Sequence, residues 1–252
     1  MIPYAAKVRL EKAAADNGFD RALGATGDWL AFGSNHAPLR VWLGTRDPES
    51  PVVALSRADV ERALRDLGAT ETVPLPEGAA AARMAPGFDV LHELLRRAYQ
   101  LARTLPDELL HAFEEKTKNL PRETEAARLV IQRVGQDLFR AGLIEYWDGR
   151  CAVTGLAVPE LLRASHIKPW AACDSDTERL DVFNGLLLAP HLDAAFDQGF
   201  ITIADDGLVV LARALPTEAE AVLGLDASLR VTRLASGHLR YLPWHREKVF
   251  KG

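Results

Sequence analysis

The sequence predicts an α+β fold with two separate parts, and three observations support this prediction. Near the start, a segment with a helical pattern is succeeded by two short runs rich in apolar and aromatic residues, DWLAFGS and PLRVWLG, which are typical of strands. A stretch rich in proline, glycine and alanine then interrupts the chain between Thr70 and Gly87. The remaining residues combine helical patterns with short apolar runs that end at glycine or proline. We therefore divide the chain into a small α+β domain (1–72), a linker (73–87), a helical connector (88–121) and a carboxy-terminal domain (122–252).

The small domain is expected to begin with a helix from about Tyr4 to Asp16, which ends at the turn signal Asn17-Gly18. The two predicted strands follow this helix. Ser56 is then expected to cap a second helix that runs to about Leu67.

Three aromatic residues lie on the predicted strands of the small domain: Trp29, Phe32 and Trp42. Aromatic side chains on such strands most often belong to the hydrophobic core. They could also form a surface that stacks or cages a base, as a reader of DNA sequence or of modified DNA needs. The sequence leaves both interpretations open.

Helical patterns continue after the linker at Phe88–Ala102, Leu109–Glu115 and Glu123–Tyr146. The last helix carries Arg133 and Arg140 along its flank, so it either tracks a phosphate backbone or has a solvated polar edge. Both interpretations remain open. Its apolar face is expected to comprise Ala127, Val130, Val134, Leu138 and Ala141.

A short apolar run in the carboxy-terminal domain, Leu161–Ile167, is stopped by Pro169. The run predicts a strand that carries His166 to its exposed end. The earlier run Arg150–Gly155 closes with a glycine and is expected to pair with this strand as a loose hairpin. A histidine with an ordinary pKa of about 6.5 can accept a proton near neutral pH, so His166 is a candidate general base.

A short helix is predicted from about His191 to Gln198, after the turn signal Asn184-Gly185 and the helix-starting Pro190. The helix places Asp193 and Asp197 four residues apart and therefore on one face. Two such carboxylates repel each other, and they are hard oxygen ligands of the kind that Mg²⁺ or Mn²⁺ accepts. In the alternative interpretation, Asp193 caps the helix and Asp197 is merely solvated.

Composition excludes several classes of protein and of site. The net charge of -5 argues against a uniformly basic nucleic-acid binder, although the charge can be distributed unevenly. Because Cys151 and Cys173 are the only cysteines, no four-cysteine structural zinc site is expected. The sequence has no secretory signal and no apolar run long enough to span a membrane, which favours a reduced, cytoplasmic protein without a membrane partner.

Several blocks of residues, in order, resemble the HNH nucleases, and together they cover about half of the chain, from Thr124 to Phe250. The resemblance implies a ββα-metal domain, in which a hairpin and the following helix bind one divalent ion. It also implies metal-dependent hydrolysis of phosphodiester bonds. The matching blocks are RVGQDLFR at 133–140, CAVTG at 151–155, LLRASHIKPW, ERLDVFNGLLLAPHLDAAFDQGFITI and YLPWHREKVF.

The resemblance also implies roles for two polar residues of the hairpin and two of the helix. His166 would be the general base that deprotonates the attacking water, and Asn184 would orient the loop that holds it. Asp193 falls where the family usually has its final histidine, so the motif reads H-N-D. Asp197 falls at a second helix position that holds a ligand in several relatives. These oxygen ligands favour one Mg²⁺ or Mn²⁺ ion over zinc or nickel.

Two further positions are candidate metal or phosphate contacts. Many relatives have an aspartate or histidine just before the general base, where this chain has Ser165, a poorer ligand. His191 is a candidate substitute for that ligand, although it could instead cap the helix or contact phosphate.

Basic residues flank the predicted site and are candidates to hold DNA phosphates. Arginine binds phosphate oxygens with two parallel hydrogen bonds, and lysine supplies a point charge. The candidates beside the site are Arg163, Lys168 and Arg179, and those on the preceding helix are Arg133 and Arg140.

The sequence therefore predicts a metal-dependent DNA endonuclease of the restriction or host-defence kind, whose amino-terminal domain selects the target. Double-stranded DNA, with or without modified bases, is the expected partner. Because a one-ion site cuts one strand at a time, double-strand cleavage implies a homodimer. The alternative is a catalytically inactive nucleic-acid-binding module that retains the fold. RNA is a third, less favoured substrate.

Overall fold

The structure, a computed structural model, describes residues 2–121, 123–226 and 228–252. Arg122, where the sequence places the start of the carboxy-terminal domain, lies outside these residues. The chain forms two compact units, Met1–Arg103 and Thr104–Gly252, which we call the amino-terminal and carboxy-terminal units. Both contain helices and strands, so the predicted α+β class is confirmed.

The amino-terminal unit is built on a six-stranded antiparallel sheet, in which the strands follow chain order except that the sixth lies between the fourth and the fifth. The predicted first helix is confirmed at its expected bounds. The elements in chain order are α1 (Tyr4–Asp16), β1 (Arg21–Thr26), β2 (Trp29–Gly33), β3 (Arg40–Asp47), β4 (Ser50–Leu55), α2 (Ala58–Ala63), β5 (Ala69–Glu71), β6 (Ala81–Met84) and α3 (Phe88–Thr104).

The second predicted helix is shorter than expected, because α2 begins after Arg57, which occupies the N-cap position, and ends at Ala63. The Ser56 hydroxyl accepts a hydrogen bond from the backbone N–H of Arg40 instead of capping the helix. This hydrogen bond therefore links the end of β4 to the start of β3.

The division between the units differs from the predicted boundaries. Residues 73–87 are predicted to be a linker, whereas Ala81–Met84 forms a strand that pairs with both β4 and β5. The Arg83 side chain is buried in the same unit and donates to the carbonyls of Leu67, Arg65 and Gly68. The helix after this strand, predicted to be a connector, also belongs to the amino-terminal unit. The composition of this segment, rich in proline, glycine and alanine, therefore led to the prediction of a linker where the structure has a paired strand.

The three aromatic residues of the small domain do not share one face of the sheet. Ala31 pairs with Trp42 and Phe32 with Val41, so alternation puts Trp29 and Trp42 on one face and Phe32 on the other. Trp42 and Phe32 are buried, as expected for core residues. A cage made of all three aromatics is therefore excluded.

The carboxy-terminal unit places a small two-stranded sheet, β7 with β8, against a long helix. The helix following β8 contacts β7, which completes a strand, strand and helix arrangement. The elements in chain order are α4 (Pro106–Thr117), α5 (Glu125–Tyr146), β7 (Arg163–His166), α6 (Asp176–Leu180), β8 (Gly185–Leu188), α7 (Pro190–Asp197), β9 (Ile201–Ile203), β10 (Val209–Leu211), α8 (Thr217–Leu223) and α9 (Leu242–Lys248).

The strand that pairs with β7 is not the predicted one. The sequence predicts pairing with Arg150–Gly155, whereas β7 pairs with β8 and Cys151–Gly155 forms turns. The Ala152 N–H donates to the Leu187 carbonyl at 2.7 Å, so the turn segment attaches to the far side of β8. The buried apolar residues Leu186 to Leu188 are thus strand residues.

The buried face of α5 also differs from the prediction. Ala127 is buried as expected, but Val130 and Ala141 are exposed. Four glycine and aromatic positions were overlooked because the prediction counted aliphatic side chains. The buried residues of α5 are Ala127, Gly135, Phe139, Gly142, Leu143 and Tyr146.

Over the described ranges, no helix combines the length and the apolar character that crossing a membrane requires.

Candidate active site

The predicted strand Leu161–Ile167 is shorter in the structure, where β7 ends at His166, and the His166 side chain is half-buried instead of exposed. His166 pairs with Gly185 at the start of β8. Gly185 has no side chain where a Cβ atom would lie 2.4 Å from the Phe139 ring. The absence of this Cβ lets the Phe139 ring of α5 approach the hairpin. There it stacks on the His166 imidazole with centroids 3.7 Å apart and planes 16° apart.

A second aromatic ring holds the imidazole from its edge. Trp170 lies 5.9 Å from His166, centroid to centroid, at an interplanar angle of 89°. The indole fits against α5 at Gly135, where an added Cβ would lie 2.2 Å from the Trp170 ring. Two glycines, one on α5 and one on β8, therefore make room for the two rings that orient the histidine.

One hydrogen bond assigns the proton of the imidazole. The Nε2 atom of His166 lies 2.9 Å from the Arg179 carbonyl oxygen, which can only accept. Nε2 therefore carries the proton in the neutral ring, and Nδ1 keeps its lone pair. Among the described residues, none makes a hydrogen bond to this Nδ1 atom.

The surroundings of His166 keep it neutral. Burial lowers the pKa of His166 from 6.5 to about 4, because the charged ring loses hydration, and the bond to the Arg179 carbonyl opposes this only in part. At neutral pH the ring is therefore an uncharged proton acceptor.

Asn184 is fully buried and holds together the loop between the two strands. Its Oδ1 accepts from the Lys168 N–H at 2.8 Å, and its Nδ2 donates to the carbonyls of Lys168 and Glu178, each at 3.1 Å. Nδ2 also lies 3.3 Å from the Cys173 sulfur. These contacts are what a loop-orienting amide requires, and they fix the chain on both sides of the segment that carries the Arg179 carbonyl.

Three cationic side chains that are predicted to bind phosphate instead form ion pairs or hydrogen bonds with other groups of the same domain. The Lys168 ammonium lies 2.8 Å from both Asp174 and Glu178, and the hydrogen bond to Asp174, followed by that to Glu178, raises its pKa. The Arg179 guanidinium donates to the Trp170 and Cys173 carbonyls and pairs with Asp176.

Arg140, the third of these cations, donates to the carbonyls of Leu162 and Pro159 at 2.7 and 2.8 Å. It thereby fixes the segment that leads into β7. The three side chains build the site and are not free to hold DNA.

Arg163 and Arg133 remain as candidates for phosphate contact. Both side chains are exposed, and neither has an acidic partner within 4.0 Å among the described residues. Arg163 begins β7, and its charge opposes in part the rise in the pKa of Asp193 that burial causes. A cation therefore lies on the strand next to the predicted metal ligands.

Asp193 and Asp197 project from α7 towards Ser165 of β7. The Ser165 hydroxyl donates to Asp197 Oδ1 at 3.2 Å, and hydrogen bonding to the same hydroxyl lowers the pKa of Asp193 in part. Burial nevertheless raises the pKa of both carboxyls, and the Asp193 charge raises that of Asp197 further. The pair is thus an electrostatically unfavourable cluster that a cation would relieve.

The alternative role of Asp193 as a helix cap is not observed. Ala189 occupies the N-cap position of α7, and no side chain makes a capping hydrogen bond there. Asp193 lies at the end of the first turn of the helix. His191 is exposed near the start of the same helix, about 200° around the axis from Asp193, and so points away from the carboxylate pair.

The donor set fits a hard divalent cation better than zinc. Two carboxylates and a hydroxyl supply oxygen, whereas both cysteines are buried elsewhere and remain free thiols. Within the described residues, no group of three or more histidine, cysteine or acidic side chains is close enough to hold an ion. The protein would therefore supply two or three ligands and leave the other positions for water and phosphate.

The histidine and one carboxylate line the same cavity, which has a volume of about 330 Å³. Ser165, His166 and Asp197 form part of its wall, and Trp170 forms another part. His245 of α9, which the sequence does not single out as functional, lines the cavity as well.

Sequence reasoning missed the residues that position the site. Phe139 and Trp170 orient the His166 imidazole, the Arg179 carbonyl sets its tautomer, and Gly185 makes room for the stacked Phe139 ring. The glycines on buried elements were the available signal, because a glycine inside a helix or strand often marks a close approach.

Residues 151–204 match the family model described as HNH endonuclease. This segment spans β7, the loop braced by Asn184, β8 and α7. No curated protein matches the chain.

Proposed function

We propose that this chain, whose residues 151–204 form an HNH endonuclease domain, hydrolyses DNA phosphodiester bonds with the help of one divalent cation. One observation carries the proposal. His166, with its proton on Nε2 and its Nδ1 lone pair unused, lines a cavity together with the Asp197 carboxylate. A proton acceptor beside hard oxygen ligands is what hydrolysis of a phosphodiester requires.

The proton acceptor acts through Nδ1 of His166. A water molecule in the cavity donates a proton to this atom as its oxygen bonds to the phosphorus. The ester bond from phosphorus to one deoxyribose oxygen breaks, and that departing oxygen takes a proton from solvent water. The pKa of about 4 ensures that the ring is free to accept. A phosphate anion beside the ring stabilises the protonated form, so substrate binding raises the basicity of His166 when it is needed.

Asp193 and Asp197 would hold the ion, and Ser165 fixes the orientation of the Asp197 carboxylate. When bound, Mg²⁺ or Mn²⁺ supplies a positive charge that offsets the charge developing on the phosphate. The exposed Arg163 guanidinium, on the adjacent strand, contributes a second positive charge for binding the DNA backbone.

We further propose a restriction or host-defence role in the cytoplasm, in which the amino-terminal unit selects the target and two copies act together to cut both strands. The support for this is the domain arrangement: the amino-terminal unit is compact, lies outside the matched segment and contains a cavity of its own.

The experiment that tests the proposal is conversion of supercoiled DNA to the nicked form by the full chain. We expect nicking with Mg²⁺ or Mn²⁺ and none with EDTA. Asp193→Asn should abolish it, because the amide is a poorer ligand than the carboxylate. Asp66→Asn is the matched control, since Asp66 is exposed and lies in the other unit.

The substrates should include unmodified plasmid and phage DNA with modified bases, because a modification-dependent enzyme ignores unmodified DNA. Binding of any of these DNAs without metal-dependent nicking would support the inactive binding module instead. Equal nicking by the wild-type protein and Asp193→Asn would contradict the metal site.

A further inference from the structure

A second cavity, with a volume of about 550 Å³, lies entirely within the amino-terminal unit. Its wall includes the tip of the β1–β2 hairpin, at Gly27 and Asp28, and the segment 73–77. Gly27 has a φ of +59°, which suits the first position of a two-residue hairpin turn. The volume is within the range of about 300–1,000 Å³ that is usual for small-molecule sites.

An indole ring forms one wall of this cavity. Trp29 is half-buried and lies against Gly44 of β3, where an added Cβ would lie 3.3 Å from the ring and 2.9 Å from the Asp28 carbonyl oxygen. The glycine therefore lets the indole lie close to the strand. Val52, the register partner of Gly44, supplies an apolar surface beside the ring.

The rest of the apolar lining comes from the proline-rich segment. Val73, Pro74, Leu75 and Pro76 all line the cavity, and Leu75 is 41% exposed. Rigid proline rings and an indole are surfaces against which a flat aromatic molecule packs well. Trp42 does not take part, because it is buried in the core cluster and covered by Gly78.

The polar groups around the cavity favour a hydrogen-bond donor over an anion. Glu77 is exposed and has no cationic partner within 4.0 Å in the part of the chain that the structure describes. Among the described residues that line the cavity, Arg46 is the one cation, and it is paired with Glu71 at 3.2 Å. Thr26 and Thr45 add two hydroxyls. A phosphate would find no free positive charge here, whereas an amino group would find a carboxylate.

We propose that this cavity binds an unpaired nucleobase that carries an exocyclic amino group, such as cytosine or adenine. The base stacks on Trp29, and the Glu77 carboxylate accepts a hydrogen bond from the amino group. Thymine, which has no amino group, is disfavoured. This inference rests on the proposed nuclease function, since that function makes nucleic acid the ligand of the chain.

The test measures binding of single-stranded homopolymers, whose bases are already unpaired, to full-length His166→Ala protein so that no substrate is cut. The probes are fluorescein-labelled oligodeoxycytidylate, oligodeoxyadenylate and oligothymidylate of equal length, followed by anisotropy at one salt concentration. We expect the cytidylate or the adenylate to bind about tenfold more tightly than the thymidylate.

Variants assign the preference to the cavity. Trp29→Ala should reduce affinity for the preferred homopolymer about tenfold, because it removes the stacking surface, and Trp29→Phe should retain most of that affinity. Glu77→Gln should lower the preference over thymidylate. The controls are Leu23→Ala and Asp66→Asn, which alter exposed side chains of the same unit outside the cavity lining.

The outcomes separate this inference from the nuclease proposal. Equal affinity for the three homopolymers, or a preference that survives both Trp29→Ala and Glu77→Gln, would overturn the base pocket. Should Trp29→Ala fail to fold, as judged by circular dichroism, the exposed Glu77→Gln position decides alone. Failure of the nuclease proposal would appear in the wild-type nicking assay, which does not depend on these variants.

Discussion

The carboxy-terminal unit contains two histidines in closely similar surroundings, and only one of them has a free nitrogen. His166 stacks on Phe139 at 3.7 Å and His245 stacks on Phe196 at 3.8 Å. Each donates a hydrogen bond from Nε2 to a backbone carbonyl, His166 to that of Arg179 and His245 to that of Phe196. Burial lowers the pKa of each to about 4.

The two histidines differ at Nδ1. In His245 this atom lies 2.9 Å from the Thr202 hydroxyl, so both ring nitrogens are engaged and the side chain links α9 to β9 and α7. In His166 the Nδ1 lone pair has no such partner among the described residues. Stacking and a lowered pKa therefore do not distinguish a catalytic histidine from a structural one. The unused lone pair is the feature on which we base the proposal that His166, and not His245, accepts a proton.

The largest expected effect concerns catalysis. His166→Ala should lower the single-turnover nicking rate by about 10²-fold or more, the usual contribution of a general base. His245→Ala should have a much smaller effect per folded molecule, because it removes no group that reacts. The rates are to be normalised by the folded fraction from circular dichroism. Equal losses in the two variants would remove the distinction between the histidines.

For stability the two variants should rank the other way, with His245→Ala losing more than His166→Ala. His245 is 1% exposed and makes two hydrogen bonds, so His245→Ala should lower the free energy of unfolding by about 2–4 kcal/mol. His166→Ala leaves only the Arg179 carbonyl without its partner and should lower the free energy less. Urea denaturation of both variants measures this, and a larger loss for His166→Ala would contradict the assignment.

The pH dependence of stability should change in a defined direction. A folded-state pKa of about 4 lies below the unfolded value of 6.5, so the unfolded chain binds protons first as the pH falls. Each histidine therefore lowers stability between pH 6.5 and about 4, by up to about 1.4 kcal/mol per pH unit. Above this window the effect is absent.

Comparing the wild-type protein with His245→Ala isolates one histidine, because the carboxyls with raised pKa are common to both proteins. The variant should lose stability less steeply with acidification. Parallel pH profiles would show that His245 is not held neutral in the folded state.

The smallest effect concerns the carboxylate pair beside His166. Without metal, Asp193→Asn should raise the free energy of unfolding by about 0.2–0.5 kcal/mol, because it removes repulsion between like charges one helical turn apart. The melting temperature of the wild-type protein should rise with added Mg²⁺ or Mn²⁺, and that of the variant should not. Asp66→Asn should respond to the cation as the wild-type protein does.

Local patterns allowed much of the carboxy-terminal site to be placed from the sequence. The strand that ends at His166 and the helix that carries Asp193 and Asp197 are both present, because each is set by nearby turn residues and by helical spacing. The partner of that strand could not be predicted. The segment 167–184 separates β7 from β8, and local signals do not reveal such a distant pairing.

The remaining differences between the predictions and the structure arise at glycines and at cationic side chains that are hydrogen-bonded within the domain. Gly135 and Gly142 define the buried face of α5, although a search for large apolar residues passes over them. The sequence predicts phosphate contacts for Lys168, Arg179 and Arg140. Their hydrogen bonds to carbonyls and carboxylates of the same domain can be seen only in the folded structure.

The most direct measurement of the central claim is chemical rescue of His166→Ala, since an added base can replace a missing proton acceptor but not a missing structural contact. Nicking of supercoiled DNA in Mg²⁺ or Mn²⁺ is followed with and without added imidazole. We predict that His166→Ala nicks DNA at least about 10²-fold more slowly than the wild-type protein, and that added imidazole increases the nicking rate of the variant. Nicking by His166→Ala at the wild-type rate without imidazole would contradict the assignment of His166 as the general base.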